Sequence, residues 1–256
     1  MTEETVSRKE ASLLDILYLD DHIAVVNKPP GVPVVPSRSG KGGSLQELVG
    51  THLGGARVYV VHRIDREASG VVVFAREKET HRALSLMFER RQVKKTYLAL
   101  VRGRPHPAAG TIELPLKVDP DNPTRMVVAG TGGKPSRTDY RTLEVFRGYS
   151  LVELNPTTGR MHQVRVHLAA VGNPLAVDPL YGGGEAVYLS EFKRDYRPKK
   201  SREERPLISR LSLHARDIRL THPVSGVEFF VEAPLPHDFE ILLKQLSKYA
   251  APPCER

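Results

Sequence analysis

The chain has 256 residues, 40% of them hydrophobic and 27% charged, usage that excludes disordered, collagen-like and fibrous classes and leaves room for a sizeable core. Its single cysteine, Cys254, excludes an internal disulfide and any cysteine-based zinc or iron-sulfur cage. Lys and Arg number 38 against 30 Asp and Glu, a net charge of +8, and the excess is concentrated. One cluster holds Arg82, Arg90, Arg91, Lys94 and Lys95 against Glu89, and the other runs from Lys193 to Arg205. Clustered positive charge on an otherwise balanced chain suits either a polyanion-binding surface or a solvated face. No apolar stretch approaches the roughly 18 residues that span a bilayer, and the N-terminal residues 1–12 are a polar tail without a signal-peptide apolar segment. A cytoplasmic protein without a membrane partner is expected.

In chain order, Ile16–Leu19 and Ile23–Val26 read as two strands joined by the tight turn Asp20-Asp21-His22. A Gly- and Ser-rich loop over residues 38–43 precedes a short helix over 45–53 and a strand over 58–61. Residues 62–70 then connect to a strand at Val71–Ala75. Residues 77–91 are the best helix, with Ala83, Leu84, Met87 and Phe88 on one face. Strands follow over 96–101, 112–118, 125–128, 137–146 and 150–154. Residues 160–171 alternate like a strand but share a helical face and stop at Gly172-Asn173-Pro174, so a helix is the better reading. Residues 183–210 form a basic insertion, strands resume over 211–220 and 227–233, and residues 239–249 close the fold as a helix. No internal repeat or long linker is present, and a single domain over residues 13–249 with a tail over 250–256 is expected. The fold class is α+β, with a mixed, largely antiparallel sheet flanked by helices and loops.

Two segments concentrate groups able to carry chemistry. In His62-Arg63-Ile64-Asp65-Arg66-Glu67-Ala68-Ser69-Gly70 an acid stands between two arginines at a strand end, a field that favours the ionised carboxylate. Such a group serves as nucleophile, base or metal ligand, or merely as an exposed ion pair. In Gly159-Arg160-Met161-His162-Gln163-Val164-Arg165-Val166-His167, a helix would line up Arg160, Gln163 and His167 on one side and Met161 and Arg165 on another. His162 and His167 lack zinc-protease spacing. The nucleophile elbow of serine hydrolases and the glycine-rich phosphate cradles are absent from the sequence.

The segments HRIDREASG (62–70), KKTYLALVRG (94–103) and TGRMHQVRVHLAAVGNP (158–174) together resemble the RluA type of RNA pseudouridine synthase. NKPPG at Asn27–Gly31, VDPLYG at 177–182 and LHA at 213–215 extend the likeness over residues 16–234. Ile64 stands where the family usually has Leu, Ala68 where it has Thr, and Val177 where Gly is common. The N-terminal S4 RNA-binding module frequent in the family is not expected before Ile16, and the catalytic domain itself, aided by the insertion, is expected to hold RNA.

The resemblance implies that Asp65 is the catalytic carboxylate, that Arg165 pairs with it, and that Tyr97 stacks on the uracil and stands near C5. It further implies that Arg63 fills the space left by an everted base. His62, Arg160 and His167 are candidates for phosphate or ribose contacts, with Lys28 a weaker candidate. The reaction conserves atoms, so neither cofactor nor metal is expected. The expected partner is a stem-loop of ribosomal or transfer RNA, bound by a monomer. A competing reading is an RNA-binding or assembly factor with vestigial isomerase activity; a metal-dependent hydrolase is the third.

Overall fold

A computed structural model describes residues 14–36, 43–197 and 203–251. The chain divides into two compact units: residues up to Thr96 with Ala215–Pro234, and Tyr97–His214 with residues from Leu235 onward. Strand β5 (Lys94–Arg102) carries the chain from the first to the second and β11 (Leu213–Thr221) carries it back.

In the first unit, β1 (Asp15–Leu19) and β2 (Ile23–Lys28) form an antiparallel hairpin. Its turn is closed by the Asp20 carboxylate, which accepts from the backbone N–H of His22 at 2.8 Å and of Ile23 at 2.7 Å, a short acid mimicking a backbone turn. β2 pairs with β4 (Ser69–Ala75) from Ile23 opposite Ala75 to Lys28 opposite Gly70. Every residue of β4 is buried, which explains a continuous rather than alternating apolar run. β3 is only Tyr59–Val60, shorter than its four apolar residues suggest. β11 pairs with β12 (Glu228–Glu232).

Helix α1 (Leu45–His52) opens with a capping box: Ser44 Oγ accepts from Glu47 N–H and the Glu47 carboxylate accepts from Ser44 N–H. Helix α2 (Lys78–Glu89) buries Leu84 fully and packs Met87 and Phe88 against Val25, Val73 and Ile218. Each full burial of such a side chain contributes roughly 1.5–3 kcal/mol.

The second unit is built on the antiparallel order β5, β10 (Tyr149–Pro156), β9 (Arg137–Phe146), β6 (Ala109–Glu113). A small hairpin, β7 (Leu116–Val118) with β8 (Met126–Val128), lies apart from that ladder. Helix α3 (Gln163–Ala170) packs on β8, β9 and β10. Helix α4 (His237–Tyr249) buries Phe239, Leu242 and Leu246 with Leu100 and Phe146. The flanks of the basic insertion belong to this core. Val187, Phe192 and Ile208 are buried in it, and Val187 and Ile208 are tied by a backbone bond of 2.9 Å. Lys199, Lys200 and Arg202 lie outside the described residues. Among the described residues no helix is long and apolar enough to cross a membrane.

Candidate active site

In the first unit, Asp65 sits half-buried on the connection between β3 and β4. Ile64 is buried beneath it while Arg63 is exposed. The Asp65 carbonyl accepts from Ala68 N–H at 3.1 Å, so the acid opens a tight turn whose tip is Arg66 and Glu67. Ala68 is fully buried; this backbone bond orders the turn where a threonine hydroxyl is absent. The turn must meet β4 at Gly70, whose φ is +117° and where a Cβ would collide with the Ala215 carbonyl oxygen. Only glycine fits there.

Lys28 decides how this turn is held. Its side chain is fully buried, and Nζ donates to the carbonyls of Pro29 at 2.8 Å, Val32 at 2.8 Å and Arg66 at 2.7 Å. The same two segments are stitched again by Gly31 N–H to the Arg66 carbonyl at 2.9 Å and by Arg66 Nε to the Gly31 carbonyl at 2.8 Å. An ammonium carries three donors, and here all three organise loop backbone. Lys28, expected among the substrate contacts, is thus a positioning residue one peptide removed from Asp65.

His62 also faces inward. Its Nε2 accepts from Val73 N–H at 3.0 Å and its ring stacks on Phe88 with centroids 4.8 Å apart. Burial, and then the nearby Lys95 ammonium, push its pKa down to about 3. The neutral ring orders the loop and offers no charge to a phosphate. Lys95 is itself lowered to about 8 by burial.

In the second unit, Tyr97 lies half-buried on β5 opposite Leu154 of β10. Helix α3 supplies Arg165 and His167, both buried. Arg160 is not on the helix, because His162 at its start is left-handed with φ 52°, and the preceding residues form a turn. Gln163 locks that turn. Its Oε1 accepts from Thr158 Oγ1 at 2.7 Å and Arg160 N–H at 3.1 Å, while its Nε2 donates to the Arg137 carbonyl at 2.9 Å and Thr138 Oγ1 at 3.0 Å.

His167 has no solvent exposure. It stands 3.1 Å through Nε2 from the Leu114 carbonyl and 3.0 Å through Nδ1 from Thr138 Oγ1. The carbonyl requires the proton on Nε2, so Nδ1 accepts from the Thr138 hydroxyl. Burial lowers its pKa, so this histidine is a neutral structural link rather than a cationic ribose or phosphate contact. Arg160 is half-buried, and its Nε is itself buried without a hydrogen-bond partner among the described residues.

Arg165 is oriented by an acid to which the sequence alone assigns no role. Its Nε and Nη2 reach Asp178 Oδ2 and Oδ1, each at 2.8 Å, and its guanidinium lies 4.9 Å from the Tyr181 ring. Asp178 is fully buried and also accepts from Leu180 N–H at 3.2 Å. A bidentate pair fixes the guanidinium plane as well as its charge. The loop carrying Asp178 folds tightly at Gly183, where a Cβ would collide with the Leu175 carbonyl oxygen. Among the described residues no group of three or more His, Cys, Asp or Glu side chains is arranged to hold a metal.

A sequence profile described as RNA pseudouridylate synthase matches residues 22–170, a span that contains Asp65, Tyr97 and Arg165. The chain belongs to that family. The synthase is 37% identical over 239 residues to the dual-specificity RNA pseudouridine synthase RluA of Escherichia coli, covering 91% of this chain and 99% of that one. It is 36% identical over 241 residues to the ribosomal large subunit pseudouridine synthase D of Nitrosomonas europaea, covering 93% of this chain and 66% of the relative. Among solved structures, the human RNA pseudouridylate synthase domain containing 4 aligns with a TM-score of 0.69 at 26% identity, over 95% of this chain and 96% of that one. The synthase is therefore an RNA-modifying isomerase of uridine. Asp178 is the side chain that sequence reasoning missed, while Gln163 and Lys95 were placed on a helix face and in a basic cluster without a role in ordering these loops. Asp178 lies within the VDPLYG segment, which was the one signal pointing to it.

Proposed function

We propose that the chain converts specific uridines in structured RNA to pseudouridine, with large-subunit ribosomal RNA as the favoured substrate and transfer RNA as the second. The C1′–N1 bond breaks, the uracil rotates and a C1′–C5 bond forms; the proton leaving C5 balances one gained at N1. Atoms are conserved, so the proposed step uses neither cofactor nor metal. Asp65 supplies the carboxylate, acting at the sugar or at the base. Arg165, its plane set by Asp178, acts with Asp65, and Tyr97 stacks on the uracil and stands near C5. A uridine in a stem must leave the stack at a cost of a few kcal/mol. Arg63 suits the vacated space, being exposed and making no hydrogen bond or ion pair with a described residue, with a planar guanidinium able to stack and donate. Arg160, half-buried in the turn before α3, remains the cationic candidate for a phosphate contact.

One observation carries the reading: the Asp65 turn is fixed from beneath by the buried Lys28 ammonium through the Arg66 carbonyl, a burial of charge that an exposed ion pair would not require. The names of the relatives carry the substrate class. Incubating the protein with total RNA from cells lacking it, followed by pseudouridine mapping, should reveal sites that Asp65→Asn and Asp65→Ala fail to form. Equal activity in those variants removes Asp65 from the reaction. Full rescue of a ribosome-assembly defect by Asp65→Ala would favour the RNA-binding factor instead.

A further inference from the structure

The corner between α2 and β5 turns on two backbone bonds, Arg91 N–H to the Phe88 carbonyl at 3.2 Å and Gln92 N–H to the Met87 carbonyl at 2.9 Å. Arg91 takes a left-handed φ of 58° there, so the chain reverses at once and Val93 drops into the core. The reversal leaves Arg90, Arg91 and Lys94 exposed together. Glu89 is the one acid beside them in sequence, and none of the three cations makes a side-chain hydrogen bond or ion pair with a described residue. A helix C-terminus favours a neighbouring cation, which accounts for Arg90 and Arg91. It does not account for Lys94, which begins a strand.

This corner abuts the Asp65 loop. Phe88, two residues before Arg90, stacks on His62, three residues before Asp65. On the strand side, Lys95 stands 5.9 Å from the same Phe88 ring and is close enough to help depress the His62 pKa. One aromatic stack therefore joins the exposed cations of the corner to the loop that displays Arg63.

We propose that Arg90, Arg91 and Lys94 form a docking surface for the phosphate backbone of the RNA strand flanking the target uridine, continuous with Arg63. The inference rests on the proposed function and names where its substrate is gripped. Backbone contacts position a nucleic acid without reading its bases, so this surface contributes affinity and register to every substrate alike.

The test measures binding of the full chain to a uridine-containing RNA hairpin and to total transfer RNA across a series of salt concentrations. The charge-removing variant Arg90→Gln/Arg91→Gln/Lys94→Gln should bind both RNAs more weakly. Its plot of log affinity against log salt should be shallower by roughly 0.7–0.9 for each phosphate that the variant leaves unneutralised. Arg90→Lys/Arg91→Lys, which keeps the charge, should retain the wild-type slope, as should Lys244→Gln, an exposed cation on α4. An unchanged slope in the glutamine variant overturns the proposal, and so does an equal loss in the lysine variant or in Lys244→Gln. The two readings fail separately. A protein that binds RNA through this corner and forms no pseudouridine sinks the proposed function alone, whereas one that forms pseudouridine with an unchanged slope sinks the docking surface alone.

Discussion

The two units bury a cation by opposite means. Lys28 is enclosed by three peptide carbonyls, whereas Arg165 is clamped edge-on by a carboxylate. Carbonyls are dipoles without net charge, so they solvate an ammonium as water would while letting it gather separate loop segments. A carboxylate offsets the charge itself and, being planar, also dictates the orientation of the guanidinium. The difference matches what each cation holds: Lys28 gathers backbone that must stay in one shape, while Arg165 carries a guanidinium that must point one way.

Removing the acid is the harshest way to break this comparison. Asp178→Ala strips the bidentate carboxylate from the buried Arg165 guanidinium, and loss of one partner of a buried pair costs about 3–5 kcal/mol. A lowered urea midpoint with an unchanged slope would record it. Asp178→Asn, which keeps an acceptor oxygen, should lose less. Lys28→Met should follow at about 1–3 kcal/mol, a typical penalty for an orphaned buried polar group, because loop carbonyls can turn towards water where a buried guanidinium cannot. Its signature should lie in catalysis: kcat falling further than KM rises, since the turn displaying Asp65 loosens while exposed RNA-binding groups remain. A variant with full kcat would show that the Lys28 bonds do not set the Asp65 turn.

How legible each half was in the sequence follows from the same contrast. The hairpin at Asp20 was readable because an acid at a turn bonds its own neighbours, and β9 runs over the expected 137–146 because period and breakers agree. The helix over 160–171 shrank to Gln163–Ala170, since the left-handed His162 and the Gln163 side chain draw the preceding residues into a turn. The resemblance carried Asp65, Tyr97 and Arg165 as candidates. The Lys28 bonds were invisible because every residue has a carbonyl, so no residue type marks the acceptor. Asp178 was hidden differently: it stands thirteen positions from Arg165, on a loop beyond α3 whose tight fold at Gly183 no helical or strand period announces.

The two neutral histidines give the mildest test. A histidine held neutral has a folded pKa below its unfolded value of 6.5, so the unfolded chain binds the extra proton and acid favours unfolding. For His62, lowered to about 3, the stabilisation is fully present above pH 6.5 and is lost progressively as pH falls towards 3. His62→Gln removes that titration and should flatten the fall in melting temperature over this window, at the cost of some stability at neutral pH where the stack on Phe88 is lost. His167, lowered in the same direction, keeps its own contribution, so the variant should retain part of the acid sensitivity. A melting-temperature profile parallel to wild type from pH 7 to 4 would mean that His62 takes up its proton without leaving the fold, and that the Val73 N–H bond is not what holds the Asp65 loop.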